Sequence, residues 1–286
     1  MTEIDYGVLA RDAGLTRVGA RPPLGAYLVE AWRRRDFAYT IAKYRIQAKL
    51  GQHNLGLAWV VLQPILTAAM YGLVFGIIMP RSTREGINFI PFLVAGVFIF
   101  QNFSHNFLGG ARAIRGDAGL VQSLSFPRML LPLALVIENT MLLVPQIAVM
   151  LVIIVLFGEP ITWMWLLLPI PLFFLSVFGL GVALISARAA FKIPDLINVF
   201  GTFNRLVFYG SGIFYSLDLV LEDNPTMLML VQFNPVHDYI SLVRSLTVSG
   251  NPSFTIQWVI GIVAAIVTLV IGIIYFWRAE EDYGNV

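Results

Sequence analysis

The sequence predicts an all-α polytopic membrane protein, on three observations. Of its 286 residues 58% are hydrophobic and only 13% are charged, with a mean hydropathy of +0.77. A soluble domain usually carries about 25% charged residues, so this chain could not cover its own surface in water. Six apolar runs, at about 55–79, 89–110, 129–157, 163–187, 196–215 and 256–277, are each long enough to cross a hydrocarbon core of ~30 Å. None alternates in the way a barrel strand must, which leaves helices as the spanning elements.

Taken in order, residues 1–26 form a polar tail with Gly and Pro and no apolar core, so no cleaved leader is expected. Residues 27–54 predict an amphipathic helix. Phe37, Ile41, Tyr44 and Ala48 recur at helical spacing among Arg33, Arg34, Arg35, Lys43, Arg45 and Lys49. Such a helix lies at the inner leaflet among anionic lipid headgroups, either with a role in the protein's function or as a plain juxtamembrane anchor. Residues 55–277 hold the six spans, and 278–286 form a short tail.

Lys and Arg set the orientation. With the N-terminus inside, fifteen of them fall on the inner side, against three outside (Arg81, Arg84 and Arg244) and Arg205 within a span. Both termini are therefore expected in the cytoplasm, together with the loop between spans 2 and 3. That loop predicts a short helix at about Asp117–Ser125. It then turns at Phe126-Pro127-Arg128, where Pro127 disfavours helical geometry at Phe126. On the outer side, "TMLMLVQF" (226–233) is too short to span, and "NPVHDYISLVRSLTVSG" opens with a helix-initiating Asn-Pro. Two short re-entrant helices before span 6, or a cap lying flat on the bundle, both fit.

Several chemistries are excluded or weakened. The chain has no cysteine, which removes disulfides, thiolate catalysis and cysteine-held metals. Its three histidines are His53, His105 and His237, far apart, so no metal site and no catalytic group is predicted, and no nucleic-acid partner is expected. Nothing matches G-x-x-x-x-G-K-[ST], so any ATP-driven work must come from another subunit. The densest polar stretch within a span is "QNFSHN", Gln101–Asn106, which suits either a hydrophilic path or hydrogen bonding between helices. Glu138 and Arg205 lie at equal depth in spans 3 and 5, each about nine residues in. An unpaired charge there costs several kcal/mol, so a Glu138–Arg205 pair, within one chain or between copies, is one expectation and two separate wet positions the other. Aromatic residues crowd spans 2 and 5, as packing or as platforms for sugar rings.

Several segments together resemble the permease subunits of type-2 ABC exporters for polysaccharides. Leu55, Gly56, Trp59, Pro64, Tyr71, Val74 and Phe75 match the entry into the first span. "LVQSLSFPRMLLPLA" matches the element after the coupling helix, and "GSGIFY" with "FNPVHDYISLVRSLTVSG" matches the end of span 5 and the external segment. The resemblance runs from about residue 28 onward and implies a subunit exporting lipid-linked glycans (O-antigens, teichoic acids or cell-wall galactan) across the bacterial cytoplasmic membrane. It implies a second copy of the chain and two P-loop ATPase subunits that hold the ATP and Mg, with no cofactor in this chain. The coupling surface would be Asp117, Leu120, Val121, Phe126, Pro127 and Arg128. Spans 1, 2 and 5 would line the path, through Tyr71, Phe75, Phe100, Gln101, Asn102, Phe103, Phe107, Phe203, Asn204, Tyr209 and Tyr215. A permease for drugs or small lipids is the nearest alternative. An integral membrane glycosyl- or acyltransferase would need a cluster of Asp, Glu or His at one face, which is missing from the sequence.

Overall fold

The computed structural model describes residues 21–52, 57–78, 86–221, 224, 226–227, 231, 233–251 and 255–285. Most of the N-terminal tail, Leu55 and Gly56, Arg81 and Arg84, and half of the short apolar segment 226–233 lie outside them, as does the side chain of Phe75. Every regular element among the described residues is helical.

The predicted interfacial helix is two helices. α1 (Leu24–Arg33) starts directly after Pro22-Pro23, which cannot continue a helix backwards, and α2 (Arg35–Gln52) follows a break at Arg34. The break is pinned because Arg34 Nε reaches back 2.5 Å to Glu30 Oε1 while its Nη1 donates to the Ser125 carbonyl at 2.6 Å. The packed face of α2 also differs from the apolar stripe in the sequence. Ala38 and Ala42 are fully buried, whereas Tyr44 is 66% exposed. Two alanines let the α2 backbone come close to α6, so α2 lies along the bundle.

α3 (Leu57–Ile78) carries Pro64 in its interior, where the missing N–H and the ring favour a kink. α4 (Phe89–Gly116) has 28 residues and runs past the predicted end of span 2 as far as Gly116. It turns at Asp117 into the six-residue α5 (Ala118–Ser123), close to the predicted short helix. α6 (Leu130–Leu156) ends at Gly158, whose φ of +95° only glycine adopts freely. A 3₁₀ turn at Trp163–Leu167 leads into α7 (Pro169–Lys192), with Pro at the first helical position. α8 (Leu196–Gly210) has 15 residues and gives way to a turn at 211–215, inside the predicted fifth span. At 1.5 Å per residue it covers only about 22 Å. Beyond the short α9 (Leu217–Val220) come α10 (Pro235–Thr247), α11 (Thr255–Trp277) and a closing 3₁₀ turn, Asp282–Asn285.

Among the described residues, three segments are long and apolar enough to cross a membrane: Leu130–Leu156, Trp163–Lys192 and Thr255–Trp277. α4 is the axis of the bundle, flanked by α3, α6, α7, α8 and α10. Its contact with α7 is close because Gly110 leaves room: a Cβ there would stand 2.5 Å from the Ala183 Cα. α7 and α11 cross at Gly181 and Gly272, where a Cβ on Gly272 would stand 2.6 Å from the Gly181 carbonyl oxygen. Small residues permit backbone-to-backbone packing where apolar lipid gives no hydrophobic drive. α10 is buried from Asp238 through Arg244 against α4, α7 and α11, which overturns the flat external cap. Its Asn-Pro start behaves as expected, since the Asn234 side chain accepts from the Val236 N–H at 3.1 Å.

Candidate coupling corner and polar cleft

The α5–α6 corner lies under both ends of the chain. Phe126 is only 6% exposed and packs against Phe37 of α2, with ring centroids 5.0 Å apart. Glu280, just past α11, is buried and accepts from three groups: the Arg128 backbone N–H at 3.0 Å, Arg128 Nη1 at 3.4 Å and the Tyr27 hydroxyl at 2.7 Å. The Tyr27 oxygen in turn accepts from the Met129 N–H. Farther out, Trp277 Nε1 donates to the Pro22 carbonyl and the Arg21 N–H donates to Glu281. Burial pushes the Glu280 carboxyl upward, with Arg128 and Tyr27 pulling against it. Burial, reinforced by the Glu280 charge, raises Tyr27.

This geometry corrects one expectation. Phe126 and Pro127, expected on the coupling surface, are buried within the chain. Val121 is buried and Leu120 half-buried; Gln122, Ser123, Leu124 and Ser125 are exposed. The outward-facing surface of the corner is therefore the end of α5, with the Trp32 side of α1 also exposed.

A second correction concerns Glu138. It is 1% exposed, and its partners are Lys49, with Nζ 2.5 Å from Oε1, and Arg45, with Nη1 3.8 Å from Oε2. Arg45 also pairs with Asp117, so one cation joins the end of α4 to α6. Burial pushes the Asp117 carboxyl upward, against the pull of Arg45. Arg205 is exposed on α8 and pairs with no carboxylate among the described residues. The Glu138–Arg205 pair is not made within the chain. Close packing of α2 through Ala38 and Ala42 brings Arg45 and Lys49 to Glu138 instead.

The polar stretch of α4 divides between two roles. Asn102 and Asn106 join Asn139 of α6 in a buried amide cluster: Asn106 Nδ2 donates to Asn102 Oδ1 at 3.2 Å, and Asn139 Nδ2 to Asn106 Oδ1 at 2.8 Å. Ser104 accepts from Asn204 of α8 at 2.9 Å. Gln101 and His105 instead face a cavity of about 470 Å³ between α3, α4 and α6, also lined by Lys49, Trp59, Asn102 and Arg112.

Of the expected path-lining residues, Phe100, Phe103 and Phe107 are buried in the protomer's own core and pack edge to face or in stacks with Phe200, Phe203, Phe208 and Phe178. The three rings line no open surface among the described residues, whereas Asn102, though buried, borders the cleft. Tyr71 and Tyr215 are half-buried, Tyr71 against Phe208 and Phe214. Phe203 and Tyr209 are 51% and 53% exposed on α8, a helix with no buried residue, and Asn204 is half-buried beneath them.

Two polar anchors at the other end were not singled out from sequence. Arg244 is 2% exposed and donates to the carbonyls of Phe92, Gly212 and Ile213 at 2.8–2.9 Å, with its guanidinium over the Phe92 ring. Glu159 accepts from Asn88 Nδ2 at 2.9 Å and from the Ser249 N–H at 2.7 Å. Burial pushes its carboxyl up, but these hydrogen bonds outweigh burial and hold it below the usual value. The only sequence signal was the Asn-Pro…Arg spacing, which reads equally well as a surface helix.

The model of the ABC-2 type transporter family matches residues 38–248, from α2 to the end of α10. The chain belongs to the ABC-2 type transporter family. It is 28% identical over 216 residues to the O-antigen export system permease protein RfbA of Myxococcus xanthus, covering 76% of this chain and 80% of that protein. It is 25% identical over 241 residues to the protein of the same name from Klebsiella pneumoniae, covering 82% and 90%. Within this ABC-2 transporter chain the family match contains the α5–α6 corner, the charged cluster and the cleft. Tyr27 and Glu280, which strap the corner, lie outside it.

Proposed function

We propose that this ABC-2 type chain is the membrane-spanning permease subunit of an exporter that moves lipid-linked polysaccharide across the bacterial cytoplasmic membrane. The carrying observation is its similarity, over about four-fifths of its length, to relatives named as O-antigen export permeases. Two copies would work with two P-loop ATPase subunits, which bind the ATP and Mg. Support for six spans with both termini inside comes from the distribution of Lys and Arg and the six apolar runs. Support for a second copy comes from the exposed apolar faces of α3 and α8, including Leu66, Met70, Leu73, Phe203 and Leu206. The exposed end of α5 is the surface offered to the ATPase.

The test is co-purification with the candidate ATPase, followed by ATPase assays in nanodiscs with lipid-linked O-antigen, lipid-linked galactan and a small lipid-like drug. Stimulation by a lipid-linked glycan is expected, and the preferred glycan separates O-antigen from galactan. Stimulation by the drug alone, or no stable complex with any ATPase, overturns the reading.

A further inference from the structure

The cleft between α3, α4 and α6 has a lining that neither the family match nor the coupling corner accounts for. Gln101, His105 and Arg112 recur along one face of α4 and are all cavity-lining. Arg112 makes no hydrogen bond, ion pair or ring contact among the described residues. Neighbouring basic residues are held, Arg45 by Asp117, Arg128 by Glu280 and Arg115 by the Phe191 carbonyl. Lys49, which pairs with Glu138 behind it, stands at the same cleft, and no carboxylate is among the lining residues. Arg112 is an exposed cation at the mouth of the cleft, and a phosphate is the anion whose geometry a guanidinium matches best.

The rest of the lining selects among phosphate-bearing molecules. Gln101 lies eleven residues from Arg112, about 16 Å along the helix, and its Oε1 is buried with no hydrogen-bond partner. It needs a donor that a phosphate or an acyl chain does not offer and a sugar hydroxyl does. Trp59, on α3, presents an aromatic face to the same cavity. Amide and ring together are the groups that hold a sugar, by hydrogen bonds to its hydroxyls and by contact with its apolar face. A volume of about 470 Å³ accommodates a phosphorylated sugar.

We infer that this cleft binds the sugar-phosphate end of a lipid-linked glycan, with Arg112 and Lys49 on the phosphate and Gln101 and Trp59 on the first sugar. The inference rests on the export reading for its choice of ligand, and it places a substrate site within one protomer, apart from the aromatic residues of α8.

The test uses the full-length chain in nanodiscs and four probes: farnesyl diphosphate carrying one hexose, farnesyl diphosphate alone, an uncharged alkyl hexoside and phosphatidylglycerol. Arg112→Gln is expected to weaken both diphosphates about tenfold, and Arg112→Lys by less, because a bidentate contact becomes a point charge. Gln101→Leu and Trp59→Leu should weaken the hexose-bearing diphosphate about fivefold and leave the sugarless one unchanged. Lys192→Gln, a cation at the end of α7, serves as the unaffected control, and an unchanged melting temperature excludes misfolding. Equal binding of the hexose-bearing diphosphate by parent and Arg112→Gln overturns the site. So does Arg112-dependent binding of phosphatidylglycerol as tight as that of the sugar probe. Failure here with glycan-stimulated ATPase intact removes the cleft alone, whereas sound binding without glycan stimulation in the assembled transporter removes the export reading.

Discussion

The two ends of the bundle handle buried charge in opposite ways. At the α5–α6 corner, cations meet carboxylates: Arg45 with Asp117, Lys49 with Glu138 and Arg128 with Glu280. Several of these partners keep some exposure, Lys49 as much as 57%. Around α10, Arg244 has no carboxylate partner among the described residues and is satisfied by three backbone carbonyls. Ion pairs near water can exchange partners at modest cost, whereas a cation held by fixed carbonyl dipoles has no alternative position. The corner is built to be rearranged and the α10 end to stay assembled.

Arg244 gives the largest effect by which to break that contrast. Arg244→Ala orphans three carbonyls, each costing about 1–3 kcal/mol when buried without a donor. The expected outcome is loss of the folded chain, read as collapse of the monodisperse peak in detergent. Gly96→Val should approach the same result, since a Cβ there would stand 2.6 Å from Arg244 Nη2. Survival of Arg244→Ala with an unchanged melting temperature would equalise the two ends.

Phe126→Ala comes next. Removing a buried ring costs about 3–5 kcal/mol, so melting and ATPase coupling should fall together. Leu124→Ala, exposed beside it, should weaken only ATPase binding, and a melting loss in Leu124→Ala as large as in Phe126→Ala would contradict the placement of the two side chains.

The charged cluster should respond less. Glu138→Ala leaves Lys49 and Arg45 without their buried partner and is expected to cost about 3 kcal/mol. The exchange Glu138→Lys with Lys49→Glu should recover part of the melting temperature, while Glu138→Arg with Arg205→Glu should recover none. Recovery by the second pair would show a contact between copies.

The smallest effect concerns pH. The Glu280 carboxyl titrates above the ordinary glutamate value, so the docked tail binds its proton more tightly than the released tail does. Stability from this group is full below the ordinary value and declines as pH rises through the raised one. Protease cleavage near the C-terminus should therefore increase with pH across that window, and Glu280→Gln should flatten the dependence. A cleavage rate independent of pH in the parent protein would remove the linkage.

The helical class was legible because apolar length is a local property, although α4 runs past the end of its apolar run and α8 stops short of the end of its own. The short helix at α5 and the Asn-Pro start of α10 follow from the residues on the spot. What escaped was which side of a helix faces inward. In α2 the larger apolar side chains suggested one face, but the fully buried positions are Ala38 and Ala42, chosen by close approach to α6. That rotation redirected Arg45 and Lys49, and with them the partner of Glu138. The aromatic positions of α4 were visible, yet Phe100 and Phe107 point to α8 and Phe103 to Phe178 of α7, while Gln101 and His105 face the cleft. Burial of α10 could not be read from a pattern that also suits a surface helix.

α4 runs unbroken from Phe89 to Gly116, with its proline, Pro91, confined to the first turn. Near one end its Phe92 carbonyl is bolted to Arg244, and at the other Asp117 is gripped by Arg45. A helix of that length is about 42 Å of nearly incompressible rod. Under the proposed coupling, work done on the corner by an ATPase partner would reach the far side as tilt or thrust of a single lever.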